Sequence, residues 1–471
     1  MRIANTNIKI KIHVKIFVAV LLGIILLSIL PATPQQPVVL NLLITAPDAE
    51  PWKKGILKDF EAKNPGIRIN LVEGPNATNL LEDLYTSAFI LGDSPYDLIN
   101  MDVIWTPKFA AAGWLLDLSD RITKEELAAF SPKDIEGGRV EGKLYRIPMR
   151  SDVGVLYYRE DLLKQAGFQP PETFSDLLKI SQTLQKQGKV RWGYVWQGRQ
   201  YEGLAAMFVE VLEGFEGFWV NPKTLEVGLD KPETLQAIAF LKETIEKGIS
   251  PSGVTTYIEE DTRRFFQSGE AAFLRSWPYV WPLANAENSP IKGKIAIKSM
   301  VGLTPTRGGA CLGGWGLGIA KSSKHPEEAW KAIQYLTSEQ AQRQFILNAG
   351  FVPSRRSLFT DPQIVAKYPH YPELLEIEDR AVLRPPIPQY DQASDILQRY
   401  LSAALTNRMT PKSAREAATN ETRQLLTLRL RSGLKGYPAS GRGDRSPEQG
   451  NEIPNPEYSL PLPAKNETLL H

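Results

Sequence analysis

Val38-Val39-Leu40-Asn41-Leu42-Leu43-Ile44-Thr45 is an almost unbroken run of β-formers and reads as a buried strand. The segments C-terminal to it decide the fold. Trp52 to Ala62 carries Trp52, Ile56, Leu57 and Phe60 at helical spacing, and Asn64-Pro65-Gly66 stops it. Ile67 to Val72 alternates as a second strand, Leu80 to Leu91 reads as a helix, and Tyr96 to Met101 as a third strand. Strand and helix taking turns predict a parallel sheet covered by helices.

Further along, the same alternation returns. Gly154 to Tyr158 is strand-like and Leu162 to Gly167 helical, and Thr173-Phe174-Ser175-Asp176 is a capping box opening a helix to about Gln187. Lys231 to Gly248 and Asp261 to Gln267 read as helices, Ala271 to Leu274 and Gly316 to Ala320 as strands. Pro326 to Leu336, Ser338 to Asn348, Gln392 to Leu405 and Pro411 to Leu428 are helical. From about Gly433 apolar periodicity stops in a Pro-, Gly-, Ser- and Asn-rich tail, which reads as disordered. Arg442-Gly443-Asp444 in that tail reads as chance, as do the Asn-x-Thr triplets at Asn76, Asn420 and Asn466.

The chain has 471 residues, enough for two or three domains, with 42% hydrophobic and 23% charged residues. Lys+Arg 55 against Asp+Glu 53 gives +2, so charge offers no argument for nucleic acid. Arg2, Lys9, Lys11 and Lys15 precede the apolar run Ile16 to Leu30. That pattern reads as an export signal, either cleaved or kept as an N-terminal anchor, with the body outside the cytoplasmic membrane in both cases. Residues 1–37 are thus leader plus Pro-rich linker. Cys311 is the one cysteine, which excludes an intramolecular disulfide and a lipid-modified N-terminus, and its apolar Gly-rich setting reads as packing.

No catalytic signature stands out. His13, His325, His370 and His471 lack metal-ligand spacing, and the Gly308-Gly309 and Gly313-Gly314 pairs lack the lysine of a phosphate loop, so neither metal nor cofactor is expected. Aromatics beside acids are the informative feature. Ser276-Trp277-Pro278-Tyr279 and Leu312-Gly313-Gly314-Trp315-Gly316 place large rings in segments that read as turns, where a ring tends to face a cleft. Asp102 lies just past the third strand, where ligands bind in open α/β sheets, and Glu50 and Asp152 are placed similarly. Flat apolar faces with carboxylates suit a sugar, because a carboxylate accepts from two vicinal hydroxyls at once.

Val38 to Leu428 resembles the solute-binding proteins of ATP-binding-cassette sugar importers, in particular the trehalose/maltose-binding branch. The segments that carry the likeness are Met101-Asp102-Val103-Ile104-Trp105, Gly142-Lys143-Leu144-Tyr145, Asp152-Val153-Gly154-Val155-Leu156-Tyr157-Tyr158-Arg159, Val195 to Leu204, Ser276 to Tyr279 and Leu312 to Trp315. The resemblance implies a type II periplasmic-binding-protein-like α/β fold of two lobes, each a mainly parallel sheet flanked by helices, joined by a multi-crossing hinge. Lobe one would be 38–149 with about 304–351, lobe two 152–301 with about 353–430, and the hinge would lie near Arg150 and Gly302. The implied ligand-binding residues are Glu50, Asp102, Asp152, Trp277, Tyr279, Gly314 (through its backbone), Trp315 and Arg384. Glu202, in the wall formed by Tyr201-Glu202-Gly203, is a further implied contact. Arg150 departs from the family, which places an aromatic two residues before the matching aspartate.

The function implied is that of a monomeric, non-enzymatic receptor that closes on a disaccharide or small glycoside and docks on a membrane permease. Trehalose, maltose, sucrose and glucosylglycerol all present the required groups. A membrane-tethered sugar sensor and a secreted glycosidase using Asp102 and Asp152 are the other readings.

Overall fold

The computed structural model describes residues 36–75, 78–92 and 94–432, so the leader and the tail from Gly433 lie outside the described residues. Among the described residues no helix is long and apolar enough to cross a membrane. Strand β1 (Val38–Thr45) pairs in parallel with β2 (Ile67–Gly74) along its whole length, from Val38 opposite Ile67 to Thr45 opposite Gly74. The helical stretch between them is not one helix. Thr45 caps α1 (Ala46–Pro51), a wider turn covers Trp52–Ile56, and α2 (Leu57–Lys63) completes it. Pro51 supplies no N–H to the ladder, and the break comes directly after it. Helix α3 (Thr78–Ile90) leads into β3 (Leu98–Asp102), which pairs in parallel with β1. A short helix α4 (Pro132–Gly137) precedes β4 (Ile147–Val153).

One residue, Gly154, separates β4 from β5 (Val155–Arg159), yet the two strands belong to different sheets. Gly154 N–H donates to the Cys311 carbonyl at 3.0 Å, and a Cβ at this position would overlap the Glu210 carboxylate. Helix α5 (Phe174–Lys186), with the expected Thr173/Asp176 capping box, leads to β6 (Trp192–Val195). Then come α6 (Glu202–Gly214), α7 (Pro232–Glu246), α8 (Glu259–Gln267), β7 (Ala271–Ser276) and β8 (Ile295–Lys298). The chain returns to the first sheet as β9 (Cys311–Ile319), and continues through α9 (Pro326–Leu336) and α10 (Glu339–Ala349). It ends with α11 (Tyr371–Asp379), β10 (Val382–Leu383), α12 (Tyr390–Leu405) and α13 (Pro411–Ser432).

The first sheet is mainly parallel, as expected, while the second is mainly antiparallel, which corrects the expectation for that sheet. The first has the order β10-β9-β3-β1-β2, and β9 is antiparallel to β3 and to β4. The second has the order β8-β5-β7-β6, and only β6 and β7 are parallel. The reason is connectivity. Parallel neighbours need a long crossover, whereas β4 passes straight into β5 and β9 comes back from the other sheet running the opposite way.

Strand β9 also corrects the reading of Leu312-Gly313-Gly314-Trp315 as a turn. All nine of its residues are buried, and the glycines serve close backbone approach rather than reversal. Gly314 has φ +113°, and a Cβ there would lie 2.9 Å from the Arg150 carbonyl oxygen. Several elements have no counterpart in the sequence reading, among them β6, β8, β10, α4, α6 and α11. Helix α6 is buried along nearly its whole length, so no single apolar stripe marks it off from its surroundings. Its one buried acid, Glu210, is held by Arg275 of β7 through Nε at 2.8 Å and through Nη2, both side chains being fully buried.

Helices α9 and α10 cover the first sheet with Trp330, Ile333 and Phe345, against Leu42 and Leu317. Tyr371, Leu374 and Ile377 of α11 pack with Val155, Tyr157, Leu274 and Ile295 of the second. Cys311 is buried between neighbours, and burial pushes its thiol up to about 12. Gly314→Ala should destabilise the protein by an amount on the order of 1–3 kcal/mol, because both the left-handed backbone and the approach to Arg150 oppose a side chain. Calorimetric melting of the variant checks this.

Candidate functional site

Three consecutive positions of β9 gather the site. Trp315 lies opposite Asp102 on β3 and opposite Arg150 on β4, and Gly313 lies opposite Asp152. Asp102, Arg150 and Asp152 are therefore brought together by backbone pairing, not by sequence proximity alone.

Asp102 ends β3 and caps the next turn, accepting from the Ile104 N–H at 3.3 Å. Arg384 Nη2 donates to it at 3.3 Å, and Arg384 Nη1 donates to Glu202 Oε1 at 2.8 Å. Glu202 opens α6 and also accepts from the Tyr390 hydroxyl and from Ser394 Oγ at 2.6 Å. Both Glu202 oxygens thus have protein donors. Burial pushes this carboxyl up, and Arg384 is the main opposing influence. The Arg384 Nε is buried and has no protein partner.

Arg150 Nη1 donates to Asp48 Oδ1 at 3.0 Å. Its guanidinium lies 4.6 Å from the Phe351 ring centre and 5.7 Å from that of Trp315. Trp315 is only 8% exposed and meets Trp105 edge-on at 5.3 Å. The ring stands on a central strand and contributes to the core while bordering Asp102 and Arg150. Glu50 is exposed, two positions beyond Asp48 on α1. Residues two apart project from opposite sides of a helix, so the acid at Arg150 is Asp48, which the sequence reading misses. Its place in the first turn after β1 is the signal that could have found it.

Asp152 differs from the other acids. Among the described residues no hydrogen bond reaches its carboxylate, while Asp102 and Asp48 lie near enough to repel it. Burial is the main cause that pushes its carboxyl up to about 7, with Arg150 and Arg275 opposing. Trp277 is its neighbour: a Cβ on Gly313 would lie 3.1 Å from the indole and 3.3 Å from the Asp152 Cβ. Trp277 is half-buried, comes after β7 in a turn as expected, and has the Arg275 guanidinium 4.3 Å from its ring centre.

Tyr279 donates to Glu260 Oε1 at 2.9 Å, and Tyr201 to Glu259 Oε2 at 2.7 Å, both acceptors heading α8. Arg263 in turn grips Glu260 through Nε at 3.0 Å and Nη2 at 2.6 Å. Gly314 sits opposite Ser151 in the ladder. No cluster of potential metal ligands occurs among the described residues.

Asp152→Asn should separate stability from binding. In the unfolded chain the carboxyl ionises near pH 4, whereas in the folded sugar-free protein it holds its proton to about pH 7. Wild-type stability therefore falls as pH rises across that window. The variant lacks this loss, so its stability relative to wild type should climb between pH 4 and pH 8, reaching on the order of 1–3 kcal/mol. Melts at both pH values test it, and a constant difference would mean that the carboxylate already has its partners.

The profile of the bacterial extracellular solute-binding proteins matches residues 45–343. A probable ABC transporter-binding protein of Deinococcus radiodurans is 33% identical over 370 residues, spanning 77% of this chain and 87% of that protein. The maltose-bound structure of T. maritima MalE3 superimposes with a TM-score of 0.77 at 36% identity, covering 82% of this chain and 100% of that one. A Thermotoga lettingae ABC-transporter solute-binding protein bound to α-D-tagatose gives a TM-score of 0.74 at 26% identity, with coverages of 83% and 100%.

Proposed function

The chain belongs to the bacterial extracellular solute-binding protein family, and from that premise we propose that it captures a neutral disaccharide or small glycoside and hands it to the permease of an ATP-binding-cassette importer. The two-lobed type II fold supplies the means: the lobes, about 38–149 with 304–351 and about 152–301 with 353–430, close around the ligand. An export signal or N-terminal anchor in residues 1–37 would place this body outside the cytoplasmic membrane.

The observation that carries this reading is Asp152, a carboxyl with no protein donor beside the half-buried Trp277. A ligand with vicinal hydroxyls supplies two donors to it, and charge assistance makes those bonds the stronger kind. The indole offers a flat apolar surface for pyranose C–H groups, on the order of 1–3 kcal/mol by analogy with base stacking on aromatics. Asp48, Asp102, Asp152 and Glu202 outnumber Arg150 and Arg384 here, so a phosphorylated or otherwise anionic sugar is disfavoured. Arg384 and Glu202 act as framework. They hold the end of β3 to the starts of α6 and α12, leaving Asp102 oriented toward the strand ends. The ligand favours the closed arrangement only through contacts it makes better there than in the open one.

Calorimetric titration with maltose, trehalose, sucrose and glucosylglycerol is the test. Affinity near micromolar, about −8 kcal/mol, is expected for at least one of them. Trp277→Ala should weaken binding by at least about tenfold, or about 1.4 kcal/mol. Because the ionised Asp152 accepts the hydroxyls, the dissociation constant should fall as pH rises from 6 to 8. Absence of binding to every glycoside would overturn the proposal, and release of reducing sugar would replace it with hydrolysis.

A further inference from the structure

Behind the cleft, on the other side of β4, lies a buried polar cluster that ligand binding does not use. Side chains alternate along a strand, so Ser151 projects away from the side shared by Arg150 and Asp152. There it meets Asp134 of α4 and Glu378 of α11. Asp134 and Glu378 are both fully buried, as are Ser131 and Arg146, and Ser151 is 1% exposed. Among the described residues, none of the four carboxyl oxygens and neither the Ser131 nor the Ser151 hydroxyl has a hydrogen-bond partner.

On the lobe division proposed above, the two acids come from opposite sides of the hinge. Helix α4 is attached to the first sheet: Gly137 abuts Val103 and Leu383, the latter at 3.3 Å from its Cβ position. Helix α11 packs with Val155, Tyr157 and Leu274 of the second sheet. Other charges face the pair. Arg146 donates through Nη1 to the Asp134 carbonyl at 3.4 Å and lies between Asp134 and Asp102. Asp379, next to Glu378, is held by Arg356. Lys133 and Glu136 of α4 pair with each other at 3.4 Å. Arg150 and Asp152 belong to the opposite side of β4, and Arg380 donates to the Glu376 carbonyl at 3.2 Å.

Two ionised carboxylates cannot share a dry site, because burial and mutual repulsion both favour retaining a proton. One proton between them makes an O–H···O⁻ bond of the short, charge-assisted kind. We propose that Asp134 and Glu378 share one proton across the back of the hinge, clasping the two lobes and setting Ser151 and thereby Asp152 in place, and that loss of this proton loosens the clasp. Burial is the main cause raising both groups, and it favours retaining a proton between them. The clasp rests on the two-lobed fold and not on which ligand binds, so it is read without sugar.

The test is small-angle scattering and thermal melting of the full sugar-free chain from pH 6 to pH 9.5. Wild-type protein should expand as pH rises, and its melting temperature should drop by roughly 3–6 °C more than that of Glu378→Gln. The glutamine amide donates permanently to an ionised Asp134, so this variant should keep one radius of gyration throughout. Asp152→Asn should expand like wild type. A wild-type radius independent of pH, an unchanged expansion in Glu378→Gln, or its disappearance in Asp152→Asn would each overturn the clasp. Should Glu378→Gln fail to fold, Asp134→Asn is read by the same criterion, since its amide donates to Glu378.

Discussion

Two glycines let β9 lie between β3 and β4 at a separation that a side chain at position 314 would forbid. The rest of the site is a consequence of that approach. Because β9 is antiparallel to both neighbours, three of its residues suffice to align Asp102, Arg150 and Asp152. A parallel insertion would have required a crossover on each side and could not have brought β4 to Gly154 and on into the second sheet.

The acids then divide by what surrounds them. Glu202 is fully engaged by Arg384, Tyr390 and Ser394, and Asp102 by a backbone cap and Arg384. These contacts fix the framework. Asp152 is left without a protein donor, an arrangement that costs stability in the sugar-free state. Unmet hydrogen-bonding capacity of this kind is what a ligand hydroxyl would satisfy in the reading proposed above.

Local signals make much of this legible. Alternation and helical spacing locate β1 to β3, the capping box at Thr173 marks the start of α5 to the residue, and Pro326 to Leu336 reads as a helix with the bounds it has in the fold. The features that escape have specific causes. Helix α6 is buried on almost every side, so no single apolar stripe marks it in the sequence. Gly313-Gly314 reads as a turn until the neighbouring strands are known. Asp48 and Glu50 cannot be told apart in sequence because their separation depends on which side of a one-and-a-half-turn helix meets Arg150, a residue about a hundred positions away. The partner of Glu202 lies 182 residues on, and that of Asp102 lies 282 residues on. Composition and spacing carry no information on such pairings. The family likeness points to the region, but only the fold shows which of these acids already have protein partners.

Gly154, Glu210 and Arg275 interlock. The glycine leaves room for the carboxylate, the carboxylate neutralises the guanidinium, and the guanidinium backs the indole of Trp277. No member can drift alone without stranding a buried charge or crowding the strand crossing. Over evolutionary time this trio should be inherited as a single unit, while the cleft wall around it remains at liberty to explore new sugars.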